Sequence, residues 1–298
     1  MGVSYLSLSR FELRDRVEEL KSKLAECDLC PLECRANRLA GEKGRCNSGE
    51  RLLVGSSAPH FGEESPLVGR SGSGTIFLAN CNMRCVFCQN YELSQRGQGS
   101  EMGSAEVADL MLELQSRGCN NVNWVSPTHF VPQLVESLAI AIEEGLEIPI
   151  VYNTGGYEKT EILKLLEGIV DIYMPDMKYS ADEAGRRYSG VPDYWKVNKQ
   201  AVKEMHRQVG DLEVDGSGVA RSGLLIRHLV LPENVAGTEE VLEFIGGEIS
   251  RNSYVNVMDQ YRPCWDAYKY EELDRPITGE EYRRAVDTAR RLGLDRGF

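Results

Sequence analysis

The chain has 298 residues, a net charge of −12, 42% hydrophobic and 27% charged residues, a composition able to bury a substantial core in one or two globular units. The acidic balance argues against a nucleic-acid backbone as the main partner, because phosphate contacts need clustered Lys and Arg. No apolar run reaches the ~18 residues of a membrane-spanning helix, so no membrane partner is expected. The opening MGVSYLSLSRFELRDR has neither the basic region nor the apolar core of a signal peptide, which makes the cytoplasm the expected location. Nine cysteines in a reducing compartment point to metal or redox chemistry rather than disulfides.

In chain order, Ser9 and Glu12 form a capping-box pattern ahead of Leu13, Val17, Leu20 and Leu24 at helical spacing. That helix leads into a cysteine-rich segment, Cys27 to Cys46, and then to HFGEESP at His60 to Pro66, whose Glu63 and Glu64 suit either a solvated turn or the capping of a substrate cation. GRSGSG at Gly69 to Gly74 separates this front piece, residues 1–73, from a core at 74–298. From Thr75 the runs TIFLAN, NVNWVS, IPIVYN, VDIYMP, GLLIRHLV and YVNVMD read as buried parallel strands. Between them lie helical patterns. One carries Val107, Leu110, Met111 and Leu114 before Gly118, and one carries Leu134, Val135, Leu138 and Ile142 before Gly145. Others run from about Asp193 to Val209 and from Thr238 to Ile249, and a last one starts at the Thr278/Glu281 capping pattern. Six strands alternating with helices predict a parallel α/β architecture, a barrel or an open doubly wound sheet. Either way, ligands gather at the C-terminal strand ends.

Cys81, Cys85 and Cys88 directly follow the first of these strands in the stretch CNMRCVFCQN. Three thiolates on one tight loop hold three irons of a [4Fe–4S] cube and leave the fourth without a protein ligand, whereas an electron-transfer cluster normally takes four cysteines. An open iron suits a cluster that binds a substrate. The alternatives are zinc with a distant fourth ligand, or plain buried cysteines. Upstream, Cys27, Cys30, Cys34 and Cys46 are a complete ligand set in themselves. Their C-x2-C-x3-C run is less typical of zinc knuckles, so a second [4Fe–4S] cluster is expected over zinc.

The motif CNMRCVFCQN resembles that of the radical S-adenosylmethionine (radical SAM) superfamily. More narrowly, SPTHF, VYNTGGYE, DIYMPDMKY, EMHRQVG, IRHLVLP and NVMDQYRP resemble a branch termed pyruvate formate-lyase activating enzyme-like, or PflX-type. The resemblance implies a partial (βα)6 TIM-like barrel with the cysteine-rich metal-binding piece as an N-terminal extension. It implies reductive cleavage of SAM to a 5′-deoxyadenosyl radical that abstracts hydrogen, with ferredoxin or flavodoxin as reductant. By the same resemblance Asn153, Thr154, Met174, Asp176, Lys178 and Arg227 line the SAM site, the first four of these positions gathering round a cation in the activating enzymes. Where those enzymes carry Gly-Gly-Glu, this chain has Ser126-Pro127-Thr128-His129. His129 is then expected to face the substrate as an acid/base or polar contact, with Arg262 on the cavity rim. The substrate is a protein or a small molecule; a glycyl-radical enzyme is one candidate, and an iron–sulfur electron carrier that does not cleave SAM is the reading from another class.

Overall fold

The computed structural model describes residues 2–298. Nine strands form one sheet: β1 (Leu52–His60), β2 (Ser73–Leu78), β3 (Ser100–Met102), β4 (Val122–Val125), β5 (Ile150–Thr154), β6 (Ile172–Pro175), β7 (Glu213–Val214), β8 (Ala220–Leu229) and β9 (Tyr254–Met258). The six strands expected from the sequence are β2, β4, β5, β6, β8 and β9, and every neighbouring pair in that series is parallel. Helices Ser104–Ser116, Val131–Glu143, Thr160–Leu165, Tyr194–Val209 and Thr238–Phe244 provide crossovers, the last continuing as a π turn over Ile245–Ile249. Among the described residues no ladder joins β9 to β1 or β2, so the barrel is partial.

Both capping boxes form, at Ser9/Glu12 and at Thr278/Glu281. Gly118 and Gly145 end their helices with φ of +82° and +97°, a conformation that Cβ-bearing residues avoid.

Three strands escape the sequence pattern. β1, LLVGSSAPH, pairs antiparallel with β2 through an irregularity between Val54 and Ser56, and takes β3 on its other edge. Its Gly, Ser and Pro content has low strand propensity, and tertiary pairing overrides it. β7 is a two-residue edge. The front piece placed at residues 1–73 thus shares the sheet and the core of the rest. Leu13, Leu20, Leu24, Leu52 and Val54 pack in one cluster with Ile76, Trp124 and Leu138, and Lys21 reaches Glu136 at 2.7 Å.

Strand alternation sorts the interior. Trp124, Tyr152, Tyr173 and Ile226 pack towards the helices in the main core. Val151, Ile172, Met174 and Leu225 pack with Leu67, from the short helix Ser65–Val68, as a separate apolar plug. Two residues further on, the same inward faces present Asn153, Asp176 and Arg227 to an open cavity.

A three-cysteine cavity at the strand ends

β2 ends at Leu78, and Asn80 turns the chain with φ of +67°. Its side-chain amide donates to the Asn47 carbonyl at 3.1 Å, tying the turn to the front piece. The loop from Cys81 to Cys88 has no ladder of its own and is held by its neighbours. Arg84 N–H donates to the Ser189 carbonyl and Val86 N–H to the Tyr188 carbonyl, both at 2.8 Å; Asp266 N–H donates to the Val86 carbonyl at 2.9 Å. Phe87 packs edge-on against Tyr179 and Tyr261.

Cys81, Cys85 and Cys88 line one cavity of about 240 Å³ together with Asn153, Asp176, Lys178 and Arg227. Burial pushes all three thiols up, so they are neutral donors until a metal displaces the protons. Each sulfur has a polar neighbour: Met83 N–H at 3.4 Å from Cys81, Ser189 Oγ at 3.0 Å from Cys85, Ser94 Oγ at 3.1 Å from Cys88. Lys178 is the positive charge that acts on all three. Sulfur-only donors, a polar neighbour at each sulfur and one ammonium suit a negatively charged iron–sulfur–thiolate assembly. Among the described residues, no three Cys, His, Asp or Glu side chains group tightly enough to hold a single metal ion.

Opposite the thiols, Arg227 donates through Nε to Asp176 at 2.8 Å and through Nη2 to Asn153 Oδ1 at 2.7 Å. Lys178 Nζ reaches the other Asp176 oxygen at 2.6 Å. Burial is the largest influence on Asp176 and pushes it up, yet Arg227 and Lys178 outweigh it and hold the carboxyl below its ordinary value. Of the four positions that the resemblance placed round a cation, Asn153 and Asp176 are held by the guanidinium.

Other expected site residues stand elsewhere. Thr154 borders the cavity, but its hydroxyl donates to Glu158. Met174 is fully buried in the apolar plug and is absent from the cavity wall, because it lies one inward position below Asp176. His129 does not face the cavity. Its Nε2 meets the Ala79 carbonyl at 2.9 Å, and burial pushes its pKa down to about 3, so it is a neutral Nε2–H donor bracing the start of the cysteine loop. The left-handed turn at Ser126, φ +60°, puts Ser126 on the cavity wall and carries His129 behind it. Arg262 is exposed and lies off the wall, where Met258 and Gln260 stand instead. Glu63 and Glu64 are not solvated; their side chains are 8% and 7% exposed.

Sequence reasoning missed Glu158. It is 1% exposed and accepts hydrogen bonds from Thr128, Thr154 and Tyr152, joining the turns after β4 and β5. Burial pushes its pKa up to about 7. Its place just after NTGG was the available signal, since strand-end carboxylates invite attention. Arg38, 1% exposed, was also missed. It donates to the His129 carbonyl at 2.6 Å and the Gly49 carbonyl at 2.6 Å, with Cys27 Sγ at 4.0 Å.

In the front piece, burial and then repulsion from Cys46 and Cys27 push the Cys30 thiol up to about 12. Burial likewise raises Cys27, with Cys34 contributing. A Cβ on Gly44 would come 2.3 Å from Cys34 Sγ. The four thiols are thus linked pairwise by charge, Cys30 with Cys46 and Cys27, and Cys27 with Cys34.

Residues 75–245, more than half the chain, match the family model of the radical SAM superfamily. The chain is 33% identical over 290 residues to Uncharacterized protein MJ0674 of Methanocaldococcus jannaschii, covering 94% of this chain and 79% of that protein. It is 23% identical over 298 residues to MJ0808 of the same organism, covering 94% and 81%. Among solved structures it is similar to Streptococcus suis SuiB bound to the precursor peptide SuiA, at 15% identity and TM-score 0.49, covering 74% of this chain and 46% of SuiB. The SAM-bound form of SuiB gives 16% and 0.46, covering 70% and 44%. The chain thus spans less than half the length of SuiB. With a family match that begins inside β2 and takes in the cysteine loop and the strand ends through β8, the chain belongs to the radical SAM superfamily.

Proposed function

We propose that the protein cleaves S-adenosylmethionine at a [4Fe–4S] cluster held by Cys81, Cys85 and Cys88 and directs the resulting radical at a substrate in the same cavity. The observation that carries this reading is the shared wall: three buried thiols, Lys178, and the Arg227–Asp176–Asn153 chain border one space. When bound, the cluster supplies the electron that breaks the sulfonium bond, giving methionine and the 5′-deoxyadenosyl radical that abstracts hydrogen. Lys178, held at 2.6 Å by Asp176, keeps a positive charge beside the thiolates and is free on its other donors for a carboxylate. Arg227 fixes the Asn153 and Asp176 side chains, so the strand ends keep one arrangement. Phe77, Val125 and Leu229 supply apolar wall that limits water near a reactive radical.

Cys27, Cys30, Cys34 and Cys46 are assigned to a second metal centre, with [4Fe–4S] favoured over zinc by the C-x2-C-x3-C run. Arg38 lies between Cys27 and the His129 turn, so this centre and the catalytic loop share a polar link. Ferredoxin or flavodoxin is the assigned reductant. A protein side chain is a fitting substrate for a barrel left open along β9, and PflX-type activation of a glycyl-radical enzyme is the narrower form of that reading.

The test is anaerobic reconstitution, reduction with dithionite and assay of 5′-deoxyadenosine from SAM. Formation that depends on Cys85 supports the reading; none above the Cys85→Ala protein overturns it.

A further inference from the structure

Two exposed arginines tie the front cysteine segment to the catalytic loop at the surface. Arg84, next to Cys85 in the chain, donates through Nη2 to the Arg45 carbonyl at 2.9 Å. Arg45, next to Cys46, donates through Nη2 to the Gly190 carbonyl at 2.6 Å. On the other side of Cys46, the Asn47 carbonyl accepts from Asn80, just ahead of Cys81, at 3.1 Å. Cys46 is thus flanked by two carbonyls, each held by a side chain of the catalytic loop or its leading turn. Gly190, with φ of +66°, makes the seat. A Cβ there would stand 2.8 Å from Arg45 Nη2 and 3.4 Å from Arg84 Cβ, so only a glycine leaves the guanidinium its place.

These two charges are fixed but not neutralised. Among the described residues neither guanidinium forms an ion pair; their hydrogen bonds go to backbone carbonyls. Arg186 and Arg187, just before Gly190 in the chain, are by contrast paired with Glu183 and Glu272, each at 2.6 Å. Glu42 accepts from Asn37 N–H in its own loop at 2.8 Å, and Asp193 accepts from the Tyr157 hydroxyl. Exposed Lys43 adds a further positive charge two residues before Arg45. The chain as a whole carries −12, so an acidic partner is repelled by most of its surface and drawn to where positive charge stands unpaired. Guanidiniums already anchored lose little freedom when carboxylates reach them.

Position selects the class of partner. Neither arginine lines the cavity, whose wall carries Gln89, Gln95 and Gln260 instead. A substrate has to enter that cavity to meet a radical. An electron donor has only to come close to the cysteine groups, and the two arginines adjoin a member of each.

We infer that Arg45 and Arg84 are the centre of a docking face for an acidic one-electron carrier protein, seated over the junction of the two cysteine segments. The inference rests on the reading of the cysteine groups as iron–sulfur centres and names where their electron enters. In that step the carrier loses one electron and an iron–sulfur centre gains it; no bond forms or breaks.

The experiment uses the full, anaerobically reconstituted protein, with an acidic flavodoxin and an acidic ferredoxin as probes. Binding is read by interferometry at about 50 and about 500 mM NaCl, which screen surface charge weakly and strongly. Reduction is read by stopped-flow bleaching of the iron–sulfur absorbance. At the lower salt, Arg45→Glu/Arg84→Glu is expected to bind a carrier about tenfold more weakly and to be reduced by it more slowly, the gap closing at the higher salt. Its reduction by dithionite is expected within about twofold of wild type, because a small reductant needs no docking face. Arg283→Glu/Arg290→Glu makes the same change in net charge on the last helix, Gly279–Arg291, and is expected to weaken binding by less than about threefold. Binding by neither carrier, binding that ignores the Arg45/Arg84 reversal, or an equal loss in the helix variant each overturn the inference. If the reversal lowers the iron content, Arg45→Gln/Arg84→Gln takes its place; a loss of about threefold is expected, and an unchanged affinity overturns the inference. SAM cleavage with dithionite is measured separately. Cleavage without arginine-dependent carrier binding sinks this inference alone; arginine-dependent binding without cleavage sinks the enzyme reading and leaves the docking face standing.

Discussion

Arg227 and Asp176 meet at 2.8 Å across the ends of β8 and β6, and the same carboxylate takes Lys178 at 2.6 Å. Both cations are largely buried, at 17% exposure each. Removing the carboxylate leaves two buried positive charges facing each other, a change that costs about 3–5 kcal/mol in comparable buried pairs. Asp176→Ala is therefore expected to lower stability by that amount in urea titration and to weaken SAM binding at least tenfold. Stability within about 0.5 kcal/mol of wild type would show that the pair is not the brace described.

Two cysteine groups predict a metal content. With both centres as [4Fe–4S], the reconstituted protein holds about eight irons per chain, and Cys85→Ala about four. Four irons with one zinc in the wild type would assign zinc to Cys27, Cys30, Cys34 and Cys46. Iron and zinc analysis by plasma mass spectrometry decides between them.

Gly44 offers a test of the front centre without touching a ligand. A Cβ there would stand 2.3 Å from Cys34 Sγ, closer than real contacts allow, so Gly44→Ala has to displace that sulfur. The variant is expected to lose the metal of the Cys27–Cys46 group while keeping the metal bound by Cys81, Cys85 and Cys88. Full retention of both would separate Cys34 from metal binding.

Stability against pH should carry the signature of three buried groups. Burial lowers His129 from 6.5 to about 3 and His228 from 6.5 to about 4, so each favours the folded state fully above pH 6.5 and loses that contribution as pH falls below it. Glu158 is raised from 4.5 to about 7, so its contribution is complete below pH 4.5 and is lost as pH rises to 7. At ~1.4 kcal/mol per pH unit for each proton, the two histidines make stability rise with pH between pH 4.5 and 6.5, and Glu158 takes about one proton off that slope. Glu158→Gln should steepen that slope by about one proton relative to wild type and lessen the fall between pH 6.5 and 7. Urea denaturation at half-unit pH steps measures it; an unchanged slope in Glu158→Gln would place that carboxyl in contact with solvent.

The six parallel strands were legible because runs such as IPIVYN and VDIYMP are apolar on both faces, as strands covered by helices must be. The cysteine loop was legible because its chemistry is carried by spacing alone. β1 was not, since Gly55, Ser56, Ser57 and Pro59 gain their strand conformation from pairing with β2. Met174 and Asp176 illustrate the limit within a single strand end. Alternation puts both on the inward face, yet only the helix at Ser65–Val68, which drops Leu67 beneath Met174, decides that one fills a plug and the other faces a cavity.

His129 and Glu63 differ from their expected placement for a related reason. The sequence places His129 at a strand end and Glu63 in a polar turn, which favours the histidine for the cavity. The left-handed turn at Ser126 sends His129 behind the wall to Ala79, while the return of β1 onto β2 carries Glu63 into the barrel. By itself the sequence determined the parallel α/β architecture and the two cysteine groups, because periodicity and ligand spacing are local. Which polar side chains share the cavity was decided only by the tertiary structure, because that depends on how segments far apart in the chain pack against one another.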